Sequence, residues 1–201
     1  MGQGGQHIGG RESIRAVAMT LFAEKGFAAT STREICEKAR VTKPALYYHF
    51  GNKERLYTGI VFDAFHEYLK ELDRAASGDG ASQHKFEDVI TAIFRFCQCH
   101  PEPTRMVFRM ALAPEKESPV IDYLEMAEAD ERLLARMAKD ALEAGEISCE
   151  PIELAYALIG ATRFYMMSFL VTGQPDLTPT LASRLVRLIF HGAGGPLPTD
   201  R

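Results

Sequence analysis

The stretch VTKPALYYHFGNKERLY, Val41–Tyr57, decides how the rest of the chain is interpreted. It places two adjacent tyrosines, a histidine and several cationic side chains around one proline. A helix that packs into a core does not carry so many basic groups, and a helix that faces only water does not carry the aromatic ones. The composition of this stretch therefore indicates a surface that binds another molecule.

One short helix is expected inside this stretch. Thr42 is the expected N-cap, and Pro44 follows in the first turn, where its missing N–H removes no hydrogen bond. Leu46 and Phe50 are four residues apart and are expected to face inward. The side chains left on the outward face are Lys43, Pro44, Tyr47 and Tyr48.

Two further helices are expected before this segment and a long one after it. The segment that begins at Arg11 has apolar residues at every third or fourth position, and Gly26 ends it. Ser31 and Glu34 have the spacing of a reciprocal capping box, so a second helix starts there. Asn52 is expected to cap the long helix. Two short helices joined by a tight turn predict a helix-turn-helix, whose second helix has the right width for the major groove of B-DNA.

The remainder of the chain carries the same helical periodicity. No stretch alternates apolar and polar residues with the period of two that is typical of a strand. Prolines separate the segments, and Gly145 ends the longest of them. The helices expected here cover residues 84–99, 104–112, 119–144, 152–172 and 178–191.

The predicted fold class is therefore all-α, with an N-terminal three-helix helix-turn-helix bundle joined to a larger C-terminal helical domain. We assign residues 1–10 to a flexible lead and residues 11–57 to the helix-turn-helix domain. Residues 58–193 form the C-terminal domain, and residues 194–201 form a tail.

Composition and charge agree with a folded protein that faces a polyanion. The chain of 201 residues is 46% hydrophobic, which is enough for a buried core. Its net charge is −4, yet residues 1–57 alone carry nine Lys or Arg and five Asp or Glu. No apolar run approaches the roughly 18 residues that span a bilayer, and the first ten residues lack the plan of a secretion signal. We expect a soluble, cytoplasmic protein without membrane contact.

Residues 14–57 resemble the DNA-binding region of the TetR (tetracycline-repressor-like) family of bacterial regulators. The matching elements are LFAEKGF, TSTREI, VTKPALYYHF and NKERLY, in this order. The resemblance implies a DNA-binding transcriptional regulator whose body binds a small-molecule effector and dimerises. We therefore expect a homodimeric repressor that the effector releases from a double-stranded DNA operator.

The resemblance also assigns DNA contacts. Lys43 and Pro44 open the recognition helix and reach base edges, where lysine donates to guanine O6 and N7 and proline packs on a thymine methyl group. Arg33 resembles a family position that also reaches a base, and Ala45 is placed to touch a methyl group. The residues that match phosphate-binding positions are Thr32, Thr42, Tyr47, Tyr48, His49 and Lys53.

Two positions depart from the family pattern. Arg40 stands in the turn between the two helices, where the family commonly has glycine. A non-glycine residue in a left-handed turn is expected to cost roughly 1 kcal/mol. Gly51 stands where a lysine is frequent, which removes one contact with the DNA backbone.

The C-terminal helices are expected to form the dimer and the effector site. Residues 152–191 carry apolar side chains on more than one side, and two copies packed as a four-helix bundle would cover them. We expect an apolar or aromatic effector, because the middle helices offer many aromatic and methionine side chains and few polar ones. The candidate pocket residues are Phe94, Cys97, Phe108, Met110, Tyr123, Met126, Phe164, Met167 and Ser168.

Four cysteines in a chain without a secretion signal are expected to be reduced and mostly buried thiols. Cys97 and Cys99 are two residues apart on an expected helix, so they point nearly opposite ways and do not suit one zinc ion. We expect no metal and no cofactor. A cysteine that senses oxidants or electrophiles on the same DNA-binding scaffold is the alternative function.

An α-helical enzyme is the remaining alternative. No glutamate is followed three residues later by histidine, the pair on which carboxylate-bridged metal oxidases depend. The sequence also lacks a phosphate-binding glycine loop and a nucleophile elbow. These observations argue against an enzyme.

Overall fold

The computed structural model describes residues 10–78, 80–112, 119 and 123–192, with only the backbone of Leu112 and of residues 123–127. The described residues form nine α-helices and no strand, which confirms the predicted fold class. Residues 1–9 of the predicted lead and the whole predicted tail lie outside this part of the chain. The helices are α1 (Gly10–Lys25), α2 (Thr32–Ala39), α3 (Lys43–Phe50), α4 (Lys53–Ala76), α5 (Ser82–Cys99), α6 (Pro101–Leu112), α7 (Tyr123–Glu143), α8 (Pro151–Thr172) and α9 (Pro179–His191).

The predicted capping residues start helices of the predicted helix-turn-helix domain. The Thr42 hydroxyl accepts the N–H of Ala45 at 3.4 Å, and Asn52 Oδ1 accepts the N–H of Arg55 at 2.7 Å. Gly26 ends α1 with a φ of 86°. The Thr42 and Asn52 caps satisfy N–H groups that have no partner inside their own helix.

The capping box predicted at α2 is only half formed. The Ser31 hydroxyl accepts the N–H of Glu34 at 3.1 Å, as expected. The Glu34 carboxylate instead forms an ion pair with Lys25 and a longer one, of 3.7 Å, with Lys38. These two cations lower the pKa of Glu34, the hydrogen bond from Lys25 being the main cause. A charged partner is stronger for this carboxylate than a neutral N–H.

Two predicted boundaries were wrong at their N-terminal ends. Helix α6 begins at Pro101 and not at residue 104, because proline is accepted throughout the first turn, where the N–H has no helical partner. The helix predicted to start at residue 119 is described from Tyr123 onwards, and Pro119 itself is not helical.

The chain divides into two compact units, and α4 contributes to both. Unit 1 contains residues 1–65 and 102–123, and unit 2 contains residues 66–101 and 124–201. Unit 1, which we call the reading head, therefore includes the first half of α4 and nearly all of α6. In unit 1, Arg109 on α6 donates a hydrogen bond of 3.1 Å to the carbonyl of Glu24, in the last turn of α1. A cation is favoured at this end of a helix.

The core of unit 1 is small and aromatic. The ring of Tyr57 lies edge-on to Phe22 at 5.0 Å and to Phe27 at 5.2 Å. Around these rings the head buries Ile14, Leu21, Ile35, Leu46 and Leu56. This core ties α4 to the helices that precede it.

Unit 2 is built mainly by α5 packing on α9, with α8 packed on both. Phe86 meets Phe190 at 5.3 Å, and Phe94 meets Tyr165 at 6.4 Å, each edge-on. Helix α8 is also long and apolar enough to cross a bilayer by length and composition alone, although only 39% of its apolar window is buried. This finding corrects the expectation that no segment reaches that length.

The turn between α2 and α3 has the left-handed conformation predicted for it. Arg40 has φ 56° and ψ 43°, and its N–H bonds to the carbonyls of Cys36 and Glu37 at the end of α2. Among the described residues, Arg40 is the only non-glycine with a positive φ. The Cβ atom of a residue in this conformation is crowded by the following carbonyl oxygen.

We therefore expect Arg40→Gly to raise the free energy of unfolding by about 0.5–1 kcal/mol, since relief of the steric cost exceeds the entropy that glycine loses on folding. Urea denaturation would measure the difference. Arg40→Ala is the control, because it removes the side chain but keeps the Cβ atom. An equal gain from both variants would contradict the steric explanation.

Candidate functional site

The exposed start of α3 is the tip of the candidate site. Lys43 and Pro44 are both exposed in its first turn, directly after the capping residue Thr42. Ala45 follows and is half-buried. A lysine and a proline at the start of a recognition helix can approach the edges of bases in a groove.

Two tyrosines and a histidine continue the same surface. Tyr47 is 47% exposed and Tyr48 is 85% exposed, so neither serves as a core residue. The His49 side chain is also exposed, and its ring lies 5.2 Å from that of Tyr48. Hydroxyl and imidazole groups in such positions suit hydrogen bonds to phosphate oxygens.

One buried leucine holds this surface outward. Leu46 is completely buried on the opposite side of α3. Phe50 was expected to face inward as well but is only half-buried. The cause at Phe50 is its position at the end of the helix, where its ring lies beneath the guanidinium of Arg11.

The first turn of α2 supplies the second part of the candidate site. Thr32 is half-buried, and Arg33 is exposed with its Nε 2.7 Å from Glu37 Oε1. The hydrogen bond to Glu37 raises the pKa of Arg33. Exposed ion pairs of this kind are weak, so the guanidinium can exchange Glu37 for another acceptor.

The structure gives Lys53 a contact inside the protein. Its ammonium donates hydrogen bonds of 3.0 Å to the carbonyls of Phe27 and Thr30, and lies 3.9 Å from the centre of the Phe27 ring. An ammonium has three donors, so two are used here and one is left for a phosphate. Lys53 therefore holds the loop between α1 and α2 in place, a role that its spacing in the sequence did not indicate.

The candidate effector residues are spread over different parts of the fold. Phe94 and Cys97 are buried in unit 2, whereas Phe108 and Met110 are half-buried in unit 1. The side chains of Tyr123 and Met126 lie outside the described residues.

Three of the candidate effector residues lie on α8, and the described chain places them on its surface or in a turn. Phe164 is 64% exposed and Met167 is 37% exposed. Ser168 donates its hydroxyl to the carbonyl of Gln174 at 2.8 Å, which fixes the turn after α8. In the described chain Phe164 and Met167 lie on a surface, because α8 is apolar on both sides.

Unit 2 contains a polar cluster that the sequence analysis missed. The Tyr68 hydroxyl on α4 donates a 2.7 Å hydrogen bond to Asp130 on α7, and Arg163 on α8 lies 3.6 Å from the other carboxylate oxygen. Burial raises the pKa of Asp130, although both partners act in the opposite direction. Burial, then the charge of Asp130, raises the pKa of Tyr68 well above its usual value. The three residues lie far apart in sequence, so no spacing pattern reveals them.

The cysteines are free thiols in two environments. Cys36 and Cys97 are buried, as expected, but Cys99 and Cys149 are exposed. Burial raises the pKa of Cys36. The described residues contain no group of three or more His, Cys, Asp or Glu side chains that could hold a metal ion.

An exposed lysine–proline tip on the second helix of a helix-turn-helix, joined to an all-helical body, defines a DNA-binding protein of the helix-turn-helix class. Residues 14–60 match the family model described as bacterial regulatory proteins, tetR family. This match identifies residues 14–60 as a DNA-binding domain of the TetR type, and it supports a transcriptional regulator rather than an enzyme.

Similar proteins extend the match beyond the reading head. The HTH-type transcriptional repressor KstR2 of Mycolicibacterium smegmatis is 24% identical over 191 residues, which cover 90% of this chain and 89% of the relative. The structure of the ketosteroid transcriptional regulator KstR2 of Mycobacterium tuberculosis superposes with a TM-score of 0.75 at 15% identity, covering 94% and 96% of the two chains. The fatty acid degradation regulator FadR of Bacillus halodurans gives 0.74 at 14% identity, with 97% and 100% covered. These two structures share the fold.

The polar cluster generates a stability prediction. We expect Tyr68→Phe to lower the free energy of unfolding by about 1–3 kcal/mol at neutral pH, because the buried Asp130 carboxylate loses its hydrogen-bond donor. Burial raises the pKa of Asp130 in the folded protein. The ionisation of Asp130 therefore lowers the free energy of unfolding as pH rises through that pKa. The loss should therefore shrink below about pH 4, where Asp130 is protonated in both states.

Chemical denaturation at neutral and acidic pH would test this. Tyr47→Phe removes the same hydroxyl from an exposed tyrosine and should change stability by no more than about 0.5 kcal/mol. Equal losses in the two variants, or a Tyr68→Phe loss that does not depend on pH, would contradict the assignment.

Proposed function

We propose that this protein is a cytoplasmic, homodimeric repressor that binds a DNA operator through α3 and leaves it when a small molecule binds the helical body. The observation that carries the proposal is the exposed Lys43–Pro44 tip, held outward by the buried Leu46. The KstR2 relative is named a transcriptional repressor, which supports repression as the mode of action.

In this proposal the reading head divides its contacts by type. Lys43, Pro44, Arg33 and Ala45 read base edges. Phosphate oxygens are bound by side chains on α2, on and directly before α3, and at the start of α4, and the N–H groups at the starts of α2 and α3 contribute. The phosphate set is Thr32, Thr42, Tyr47, Tyr48, His49 and, through its third donor, Lys53.

An exposed apolar stripe on α8 supports the homodimer. Tyr156 is 55% exposed, Phe164 is 64% exposed and Val171 is 78% exposed, at spacings that keep them on one side of the helix. Leu188 on α9 adds a further side chain that is 52% exposed. Apolar surface of this extent marks an interaction site, and a second copy packed against residues 152–191 would cover it in a four-helix arrangement.

We infer an apolar effector with a few polar contacts. Unit 2 contains the half-buried Tyr68–Asp130–Arg163 cluster, and the buried Thr162 hydroxyl has no hydrogen-bond partner among the described residues. Mainly apolar sites with a small number of polar groups are typical of small-molecule binding. Two structurally similar proteins are named for a ketosteroid and for fatty acid degradation, which supports an apolar effector class.

In this proposal, release from the operator depends on the distance between the two reading heads of the dimer. The recognition helices of a dimer enter successive major grooves about 34–36 Å apart. An effector that binds better to a state with another separation lowers operator affinity, and coupling of about 1–3 kcal/mol changes it about 5–150-fold. In this proposal helix α4 carries the change, because its residues belong to both units.

Selection of bound fragments from random DNA would test the DNA contacts. We expect the unchanged protein to select one operator sequence. Lys43→Ala should relax base preference at one or two positions, each by about 1–3 kcal/mol, because it removes a donor to base edges. Tyr48→Phe should weaken binding to all sequences about equally, since it removes a donor to phosphate. A sequence-selective loss from Tyr48→Phe would refute the phosphate assignment, and no selection by the unchanged protein would refute the function.

Light scattering would test the dimer. At micromolar concentration we expect twice the chain mass for the unchanged protein and the chain mass for Phe164→Glu, because two carboxylates facing each other in an apolar interface cost several kcal/mol. Leu142→Glu is the matched control, since Leu142 is exposed on α7, outside the stripe. A monomeric unchanged protein, or a dimeric Phe164→Glu, would contradict the assignment of this face.

A further inference from the structure

The DNA contacts predicted from the sequence leave out two arginines beside the C-terminal end of α3. The guanidinium carbon of Arg11, in the first turn of α1, lies 5.5 Å from the centre of the Phe50 ring. Arg55, in the first turn of α4, lies against the next residue: a Cβ atom on Gly51 would be 3.3 Å from Arg55 Nη1 and 3.4 Å from its Cδ. We call Arg11 and Arg55 the arginine rim.

Both guanidinium groups of the arginine rim are available to an external anion. Both side chains are exposed, and among the described residues no carboxylate forms an ion pair with either. Two other arginines of the reading head differ, since Arg15 is 3.3 Å from Asp63 and Arg33 is 2.7 Å from Glu37. An arginine without an internal carboxylate keeps its paired N–H donors for a phosphate.

The length of α3 places the arginine rim near the DNA backbone. Eight residues rise about 12 Å along a helix, and the major groove is also about 12 Å wide. Because the N-terminal end of a recognition helix reaches base edges, its C-terminal end lies near the phosphates that border the groove. Arg11 and Arg55 flank this second end.

Gly51 explains why Arg55 occupies this place. Here the glycine has a φ of 76°, which it adopts at low cost, and the space beside it is taken by the Arg55 side chain. A cation is thus supplied by α4 at the position where α3 ends without one.

We propose that Arg11 and Arg55 bind DNA phosphates at the C-terminal end of the recognition helix. The assignment rests on the proposed DNA-binding function. It concerns the sequence-independent part of the affinity, because phosphate contacts carry no base information. Glu12 and Glu54 are the chain neighbours of the two arginines, and their negative charge weakens the attraction of a phosphate. Neither carboxylate forms an ion pair with the neighbouring arginine.

Binding to a mixed-sequence DNA duplex tests the rim without knowledge of the operator. The logarithm of the binding constant falls with the logarithm of salt concentration, with a slope of about −0.9 for each phosphate contact. Arg11→Ala and Arg55→Ala should each reduce the magnitude of the slope by about 0.9 for every protomer engaged. Between about 50 and 200 mM salt, each lost contact removes about a 3.5-fold change in affinity. Arg11→Lys and Arg55→Lys keep the charge and should restore most of the slope.

Arg74→Ala is the matched control. Arg74 is exposed on α4, about 28 Å along the helix from Arg55, and its removal changes the net charge by the same amount. Its slope should equal that of the unchanged protein, and thermal melting should show all variants folded.

The possible outcomes separate the two proposals. If an alanine variant has the same salt slope as the unchanged protein, the phosphate contact proposed for that residue is wrong, even if the variant binds DNA more weakly. An equal slope change in Arg74→Ala overturns the location, because net charge would then be the cause. If the unchanged protein shows no salt-dependent binding to DNA, the proposed function fails before any variant is compared.

Discussion

The reading end of this protein depends on the burial of one side of an eight-residue helix. Isolated helices shorter than about 12–15 residues are marginal in water, so α3 owes its stability to packing. Leu46 supplies that packing and is fully buried, while Tyr48, two positions later, is 85% exposed. The exposed side of α3, which we propose faces DNA, is thus fixed by the side that is buried in the core. The other contacts of the head refine an orientation that this burial sets.

Lys53 shows how the same head is kept together as one body. Its aliphatic chain and ammonium cover the Phe27 ring and bind two carbonyls of the loop between α1 and α2. The first turn of α4 is thereby fastened to the helices that come before it, and Tyr57 buries its ring in the same place. The start of α4 therefore belongs to the same packed unit as the helices that precede it.

The sequence predicted what depends on local chemistry. The caps at Thr42 and Asn52 and the left-handed turn at Arg40 involve groups within a few residues of each other, and the structure contains them. Contacts between distant residues were not predictable: Lys53 with Phe27, and Tyr68 with Asp130, leave no periodic signal. The candidate DNA contacts could be named because a compact motif holds them, whereas pocket residues drawn from several helices could not be separated from ordinary core.

Helix α8 shows why an apolar sequence alone does not decide what covers a helix. By length and composition it suits a bilayer, but only one of its sides is unaccounted for, since the other packs on α5 and α9. A bilayer would also have to accommodate Arg163, which lies 3.6 Å from the mostly buried carboxylate of Asp130. A second copy of the chain needs to cover only the stripe through Tyr156, Phe164 and Val171. The exposure of α8 on one side therefore suits the helix pair proposed above as its partner better than it suits a lipid phase.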